Sequence, residues 1–205
     1  MIRQLILPLL ATIGLAGCAS SQSVEIKRDH SEQAFTATFD RAFYSQAVDG
    51  QLDVILIANG ANDSAVDKPL ATTSEKSVRQ VVHLRVLWQK PRGYRIDNPS
   101  ANNATITWHV VAGPNDRLTY TGAGWARVSI DDGEADLDIR NATLTIARVV
   151  GQIEDPLKRA TFAGEVTAKR SDAAVRSYLD EIASYTQSDS ATALSGPPAR
   201  GQAIP

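Results

Sequence analysis

Residues 118–139 read LTYTGAGWARVSIDDGEADLDI, and this stretch decides the fold class. Apolar and polar residues alternate on both sides of a central Asp131-Asp132-Gly133 segment. Such period-two alternation is typical of β-strands that bury one face and expose the other to water. An Asp-Gly pair readily adopts the positive φ angles that a tight hairpin turn requires. The stretch therefore predicts two antiparallel strands joined by a short turn.

Similar alternation elsewhere in the chain sets the size of the predicted sheet. Even-numbered positions are apolar from Val78 to Trp88 and from Ile106 to Val110, apart from Gln80. Further strand-like runs are residues 35–39, 52–58, 144–146 and 161–168. The apolar positions change from odd to even at Asn141-Ala142, which predicts a β-bulge or corner. Together these runs predict a mainly β fold, an antiparallel sandwich or open barrel of about seven strands.

One C-terminal helix is predicted to follow the last strand. Ser171 is suited to cap its first turn, and apolar residues then recur at helical spacing. These are Val175, Tyr178, Leu179, Ile182 and Tyr185. We expect this stripe to pack on the sheet, because three acidic residues against one Arg do not suit an anionic membrane surface. The Ser, Ala, Gly and Pro-rich residues 187–205 predict a disordered tail.

The N-terminal residues have the pattern of an export signal. One positive charge precedes an apolar run at residues 5–15, which is about a dozen long and shorter than the ~20 residues of a membrane-spanning helix. Leu15, Ala16, Gly17 and Cys18 follow directly. This segment resembles the lipobox of bacterial lipoproteins. The resemblance implies signal cleavage after Gly17 and acylation of Cys18.

Cys18 is the only cysteine in the chain, so it has no internal disulfide partner and lipidation gives it a role. The resemblance implies three acyl chains on the mature residue, and two lipid signals already anchor a protein stably. The next residue is Ala19 and not Asp, which in Gram-negative lipoproteins implies an outer-membrane anchor facing the periplasm. We expect a lipid-anchored protein of the cell envelope that contacts the membrane through this anchor.

The predicted organisation has four parts. Residues 1–17 form a lipoprotein signal peptide, and residues 18–33 form the lipidated cysteine with a polar tether. Residues 34–186 form a single mainly β domain, which residues 187–205 follow as the tail. A composition of 43% hydrophobic and 21% charged residues is close to the average for globular proteins. The net charge of −2 and the lack of a basic run argue against a nucleic-acid partner.

Catalytic and metal-binding signals are sparse. His83 and His109 are predicted on the outward faces of neighbouring strands, where cross-strand side chains approach closely. A transition-metal site would need a further ligand, and no H-E-x-x-H motif accompanies them. We therefore expect no metal and no cofactor. An envelope hydrolase or metal-dependent enzyme using His83 and His109 with an unidentified acid is kept as an alternative.

The stronger candidates for binding lie in a long predicted connection and on one strand. Arg92, Tyr94 and Arg95 combine bidentate hydrogen-bond donors with a stacking ring, which suits an anionic or sugar-like group. Trp125 is predicted to face outward beside Arg127, although two preceding glycines leave its side open. We expect a binding or scaffolding module for an envelope protein or cell-surface component. A carrier of lipid or a small apolar ligand is a further alternative.

Overall fold

The computed structural model describes residues 22–29, 34–59, 78–87, 102–113 and 115–194, with the side chains of the C-terminal helix described as far as Tyr185. Within these ranges the strands are β1 (Gln22–Arg28), β2 (Ala34–Phe39), β3 (Arg41–Gln46), β4 (Leu52–Asn59), β5 (Arg79–Val86), β6 (Ala104–Val111), β7 (Arg117–Asp131), β8 (Glu134–Val150) and β9 (Arg159–Arg170). The helix is α1 (Asp172–Leu194). The prediction of a mainly β fold with one C-terminal helix is confirmed.

The strands form one sheet that closes on itself. Its order is β2-β1-β9-β3-β4-β5-β6-β7-β8, and β8 also pairs with β9. Only Asp40 separates β2 from β3, and β1 lies antiparallel between β2 and β9. Beyond β1, strands β3 and β9 pair directly and in parallel at Phe43–Lys169 and Tyr44–Arg170. The result is a closed barrel with a mixed sheet.

Apolar side chains fill the inside of this barrel. The largest fully buried side chains include Trp108, Tyr44, Tyr120, Phe39 and Phe162, which all belong to one contiguous core cluster. Each of these five is at most 2% exposed. A cavity that could hold a ligand would leave accessible surface on the side chains around it. These residues therefore behave as a packed core, as in other small barrels.

The predicted turn and bulge are both present. Asp131 pairs with Glu134, and Asp132 and Gly133 between them have φ angles of 45° and 81°, as a two-residue hairpin turn requires. At the bulge, Asn141 has a φ of 51° and the register with β9 shifts between Ile139 and Ala142.

Helix α1 packs on the outer face of the barrel, as its apolar stripe predicts. The Ser171 hydroxyl accepts a hydrogen bond from the Ala174 N–H at 3.3 Å and so caps the first turn. Val175 then packs with residues of β4 and β5, namely Ile55, Ile57 and Val81. Further along, Glu181 forms an ion pair of 2.7 Å with Arg79. The helix therefore adds a second apolar layer outside the barrel wall.

Two predicted boundaries are wrong. The tether at residues 18–33 is too long, because β1 begins at Gln22 and buries Val24 and Ile26. The disordered tail at 187–205 starts too early, because α1 continues to Leu194. The remaining tail residues, 195–205, lie outside the described residues. Both errors arose where few large apolar residues mark the element.

The barrel has two distinct ends. The hairpin end carries the β7–β8 turn, the β3–β4 turn at residues 47–51, and the adjoining Leu87 and Asn103. The far end carries the turn at residues 112–116 and the connection at 151–158. Since β1 is antiparallel to β9, the N-terminus of β1 points toward the hairpin end.

Candidate functional site

The predicted site residues divide into those that the structure describes and those that it does not. Cys18 and the lipobox residues 15–17 lie outside the described residues, as do Arg92, Tyr94 and Arg95. Trp125, Arg127, His83 and His109 are all described. The chain on both sides of the 88–101 segment is also described, and it fixes where that segment leaves the barrel.

Asn103 fixes one side of this segment to β7. The side chain is 1% exposed, and its two polar atoms bond with the main chain of Ala126: the Ala126 N–H donates to Oδ1 and Nδ2 donates to the Ala126 carbonyl, each at 2.8 Å. Asn103 also accepts a hydrogen bond from the Leu87 N–H at 2.8 Å and donates its own N–H to Gly124 at 3.1 Å. The Asn103 side chain thereby makes the two hydrogen bonds to Ala126 that the main chain of a further β6 residue would make, and it extends the pairing of β6 with β7.

Trp125 and Arg127 lie on the outer face, next to this anchor. Ala126 between them is 2% exposed and points into the core, so its two neighbours point outward. Trp125 is partly buried, whereas Arg127 is exposed. Their partners across the sheet are Arg140 and Asp138 of β8. The structure therefore places Trp125 outward and beside the point where the 88–101 segment leaves the barrel.

The charges around Trp125 form a short row on β7 and β8. Arg140 Nε donates to Asp138 at 2.9 Å, and this hydrogen bond is the main reason that the pKa of Asp138 lies below its ordinary value. Asp138 stands opposite Arg127 on the neighbouring strand. An indole ring thus lies close to two guanidinium groups and one carboxylate. This combination suits an anionic or sugar-like group, which arginine can bind with two hydrogen bonds.

His83 belongs to a different cluster. Its Nε2 lies 2.7 Å from Asp53 Oδ1, and Arg85 Nε donates to the same oxygen at 2.8 Å. The hydrogen bond with His83 is the largest cause that lowers the pKa of Asp53. Because Asp53 holds Nε2 of the imidazole, His83 could act as a base only through Nδ1.

His109 has other partners. It is 4% exposed, its Nδ1 lies 3.2 Å from Thr119 Oγ1, and its ring lies 5.8 Å from that of Tyr185 in α1. Burial is the main cause that raises the pKa of Tyr185, to about 12. In the described ranges, no group of three or more His, Cys, Asp or Glu residues is arranged to hold a metal ion. The structure does not bring His83 and His109 together with a shared acid.

Sequence reasoning missed Asn103 and Asp53. Asn103 ends a polar Asn102-Asn103 pair that reads as loop, and no local pattern marks an asparagine that replaces a strand residue. Asp53 lies on the outward face of β4, and its ion pair follows from the registers of Asp53 with Arg85 and of Ile55 with His83. Both interactions depend on which strands pair and in which register, and the spacing of residues along the chain does not determine either.

Among the described residues, no helix is both long enough and apolar enough to cross a bilayer. Comparison of the chain with protein-family models, with curated proteins and with solved structures found no match.

Proposed function

We propose that this chain is a lipoprotein of the bacterial cell envelope, held on the membrane by acylated Cys18, that binds another envelope component. Its proposed binding surface, which we call the Trp125 surface, consists of Trp125, Arg127, Arg140 and the 88–101 segment with Arg92, Tyr94 and Arg95. The partner is an envelope protein or cell-surface component that presents an anionic or sugar-like group.

The hydrogen bonds of Asn103 carry the binding proposal. They fix the base of the 88–101 segment at Gly124 and Ala126, on either side of Trp125. The segment that carries Arg92, Tyr94 and Arg95 therefore joins the described chain beside Trp125. Rigid scaffolds that present a loop beside an outward-facing aromatic residue are a common arrangement for recognition.

The alternatives have less support. A hydrolase or metal-dependent enzyme would need His83 and His109 to converge, but they have separate partners in the described part of the chain. A lipid or small-ligand carrier would need an unfilled interior, whereas the largest core side chains are at most 2% exposed. A binding module requires neither feature.

The anchor is tested by the mass of the mature N-terminus in membranes of a bacterial host. We expect acyl chains on Cys18, and we expect Cys18→Ala to abolish acylation and signal cleavage. The double variant Cys18→Ala/Ser21→Cys is the matched control, because it keeps one thiol in the polar segment but moves it out of the lipobox. An unacylated wild-type protein, or acylation of the control, would contradict the proposed anchor.

The Trp125 surface is tested by crosslinking in intact cells, followed by purification and mass spectrometry. We expect one abundant partner with the wild-type protein, lost in Trp125→Ala and in the triple variant Arg92→Ala/Tyr94→Ala/Arg95→Ala. Thr145→Ala is the control, since Thr145 is exposed on β8 away from Trp125. Loss of the partner in all variants, including the control, or in none of them, would contradict this location.

A further inference from the structure

The short distance between Cys18 and the barrel restricts how the protein lies on a membrane. This reasoning rests on the proposed acylation of Cys18. Gln22 is already part of the sheet: its side chain is 9% exposed, and its Oε1 accepts a hydrogen bond from the Thr167 N–H at 2.9 Å. Four residues span at most about 14 Å when fully extended. The anchor is therefore within about 14 Å of a fixed point on the barrel wall.

The direction of β1 selects one end of the barrel. Ser23 pairs with Glu165, so Gln22 stands opposite Val166, and β9 continues to Arg170 at the hairpin end. Those last four residues of β9 span about 13 Å at ~3.3 Å each. The chain before Gln22 is thus just long enough to reach the level of Arg170, opposite Tyr44 of β3, and the β3–β4 turn extends a few residues beyond that level. The chain is too short to let the barrel move away from the bilayer.

Exposed apolar side chains supply a second, independent observation. Four large hydrophobic residues are exposed in the described ranges, and three of them lie at the hairpin end: Val48 at 110%, Leu87 at 43% and Ile130 at 37%. Val149 is the fourth and lies toward the far end. Val48 belongs to the β3–β4 turn, and Leu87 follows β5, the strand that pairs with β4.

The number of adjacent acidic residues differs among these three: two follow Ile130 and one follows Val48. Ile130 adjoins Asp131 and Asp132, whose carboxylates favour water over the membrane interface. Val48 and Leu87 lie at the corner formed by β3, β4 and β5, and β3 pairs with β9, the strand that also pairs with β1. Asp49 is the acidic residue in that turn, and its Oδ1 accepts a hydrogen bond from the Gln51 N–H at 3.1 Å.

We propose that the hairpin end rests on the lipid bilayer, with Val48 and Leu87 in the headgroup region. The partner of this surface is the membrane itself, and its contribution is to orient the barrel, since the acyl chains hold the protein in place. In this orientation the far end, with its turn at residues 112–116, points away from the membrane. The Trp125 surface lies on the wall near the bilayer, so its partner would be a component close to that membrane.

The test uses the acylated full-length protein in phosphatidylcholine vesicles that contain a lipid with a nitroxide headgroup. Acylation consumes the thiol of Cys18, so an engineered cysteine is the single labelling site. Ala47→Cys reports on the hairpin end and Gln152→Cys on the far end, since both residues are exposed. Each variant carries an environment-sensitive fluorophore, and the intact mass of each preparation establishes its acylation.

We expect severalfold stronger quenching and a blue-shifted emission for the label at Ala47→Cys. Adding Val48→Ser and Leu87→Ser should reduce the quenching of that label while leaving the acyl mass unchanged. Equal quenching at the two positions, or stronger quenching at Gln152→Cys, in acylated protein would overturn the orientation and leave the anchor intact. A mass without acyl chains would instead overturn the anchor, and the orientation with it.

Discussion

Replacing Asn103 with Ala removes the side chain that links β6 to β7, and the cost can be worked out from its contacts. Both lost hydrogen bonds, each 2.8 Å, join Asn103 to the main chain of Ala126, a residue that is 2% exposed. Leaving a buried donor or acceptor without a partner costs about 1–3 kcal/mol. Two such groups predict a loss of about 2–6 kcal/mol, a large share of the ~5–15 kcal/mol that stabilises a typical domain.

Urea denaturation followed by circular dichroism measures this change in the free energy of unfolding. Asn59→Ala is the matched control, because Asn59 is exposed at the end of β4 and its loss should stay within about 0.5 kcal/mol. We also expect faster amide exchange at Ala126 in the Asn103→Ala protein. If Asn103→Ala were as stable as Asn59→Ala, the inferred anchoring of the 88–101 segment would be refuted.

Three further predictions follow from other contacts. Gly124→Ala should destabilise the barrel by about 1–3 kcal/mol in urea denaturation, because a Cβ at this position would lie 2.5 Å from Ala142 Cα; an unchanged midpoint would show that β8 can move aside. In the folded state the pKa of Asp53 lies below its ordinary value of 3.8. The ionised carboxylate therefore stabilises the fold at pH values above 3.8, and this stabilisation is lost as the pH falls below 3.8. Asp53→Asn should therefore flatten the acid-side dependence of stability, measured as unfolding midpoints across a pH series, and an unchanged slope would contradict the prediction. Val175→Ala should lower the free energy of unfolding by about 1–2 kcal/mol through lost packing on β4 and β5, and so lower the thermal midpoint. The exposed Arg176→Ala should have little effect, and equal shifts of the midpoint would argue against that packing.

Local sequence patterns predicted those parts of the fold that depend on neighbouring residues. The Asp132-Gly133 turn and the bulge at Asn141 were both predictable, because each follows from a positive φ angle or a change in alternation within one segment. The same reasoning missed β1, because Val24 and Ile26 are its only large apolar residues and charged or polar residues surround them. Its partners, β2 on one side and β9 on the other, supply most of the burial that makes it a strand.

Strand β3 was missed for the opposite reason. Ala42 and Tyr44 face the core, but Phe43 faces outward and packs beneath α1, with its ring 6.5 Å from that of Tyr178. A strand that is covered on both faces loses the alternation by which it would be recognised. The same limit applies to the Trp125 surface. Sequence indicated the aromatic and cationic residues, but the position of Trp125 beside Asn103 arises only from pairing between distant strands.

The position of β1 between β2 and β9 also constrains the order in which the chain can fold. Its β9 neighbour lies almost at the other end of the folded sequence, so the barrel cannot close until nearly the whole domain is available. Contacts between such distant segments carry a large loop-closure cost and slow the final step of folding. A chain whose β9 is not yet available would stay open. Closure would then be the last event once β9 is available, and would occur only a few residues from Cys18.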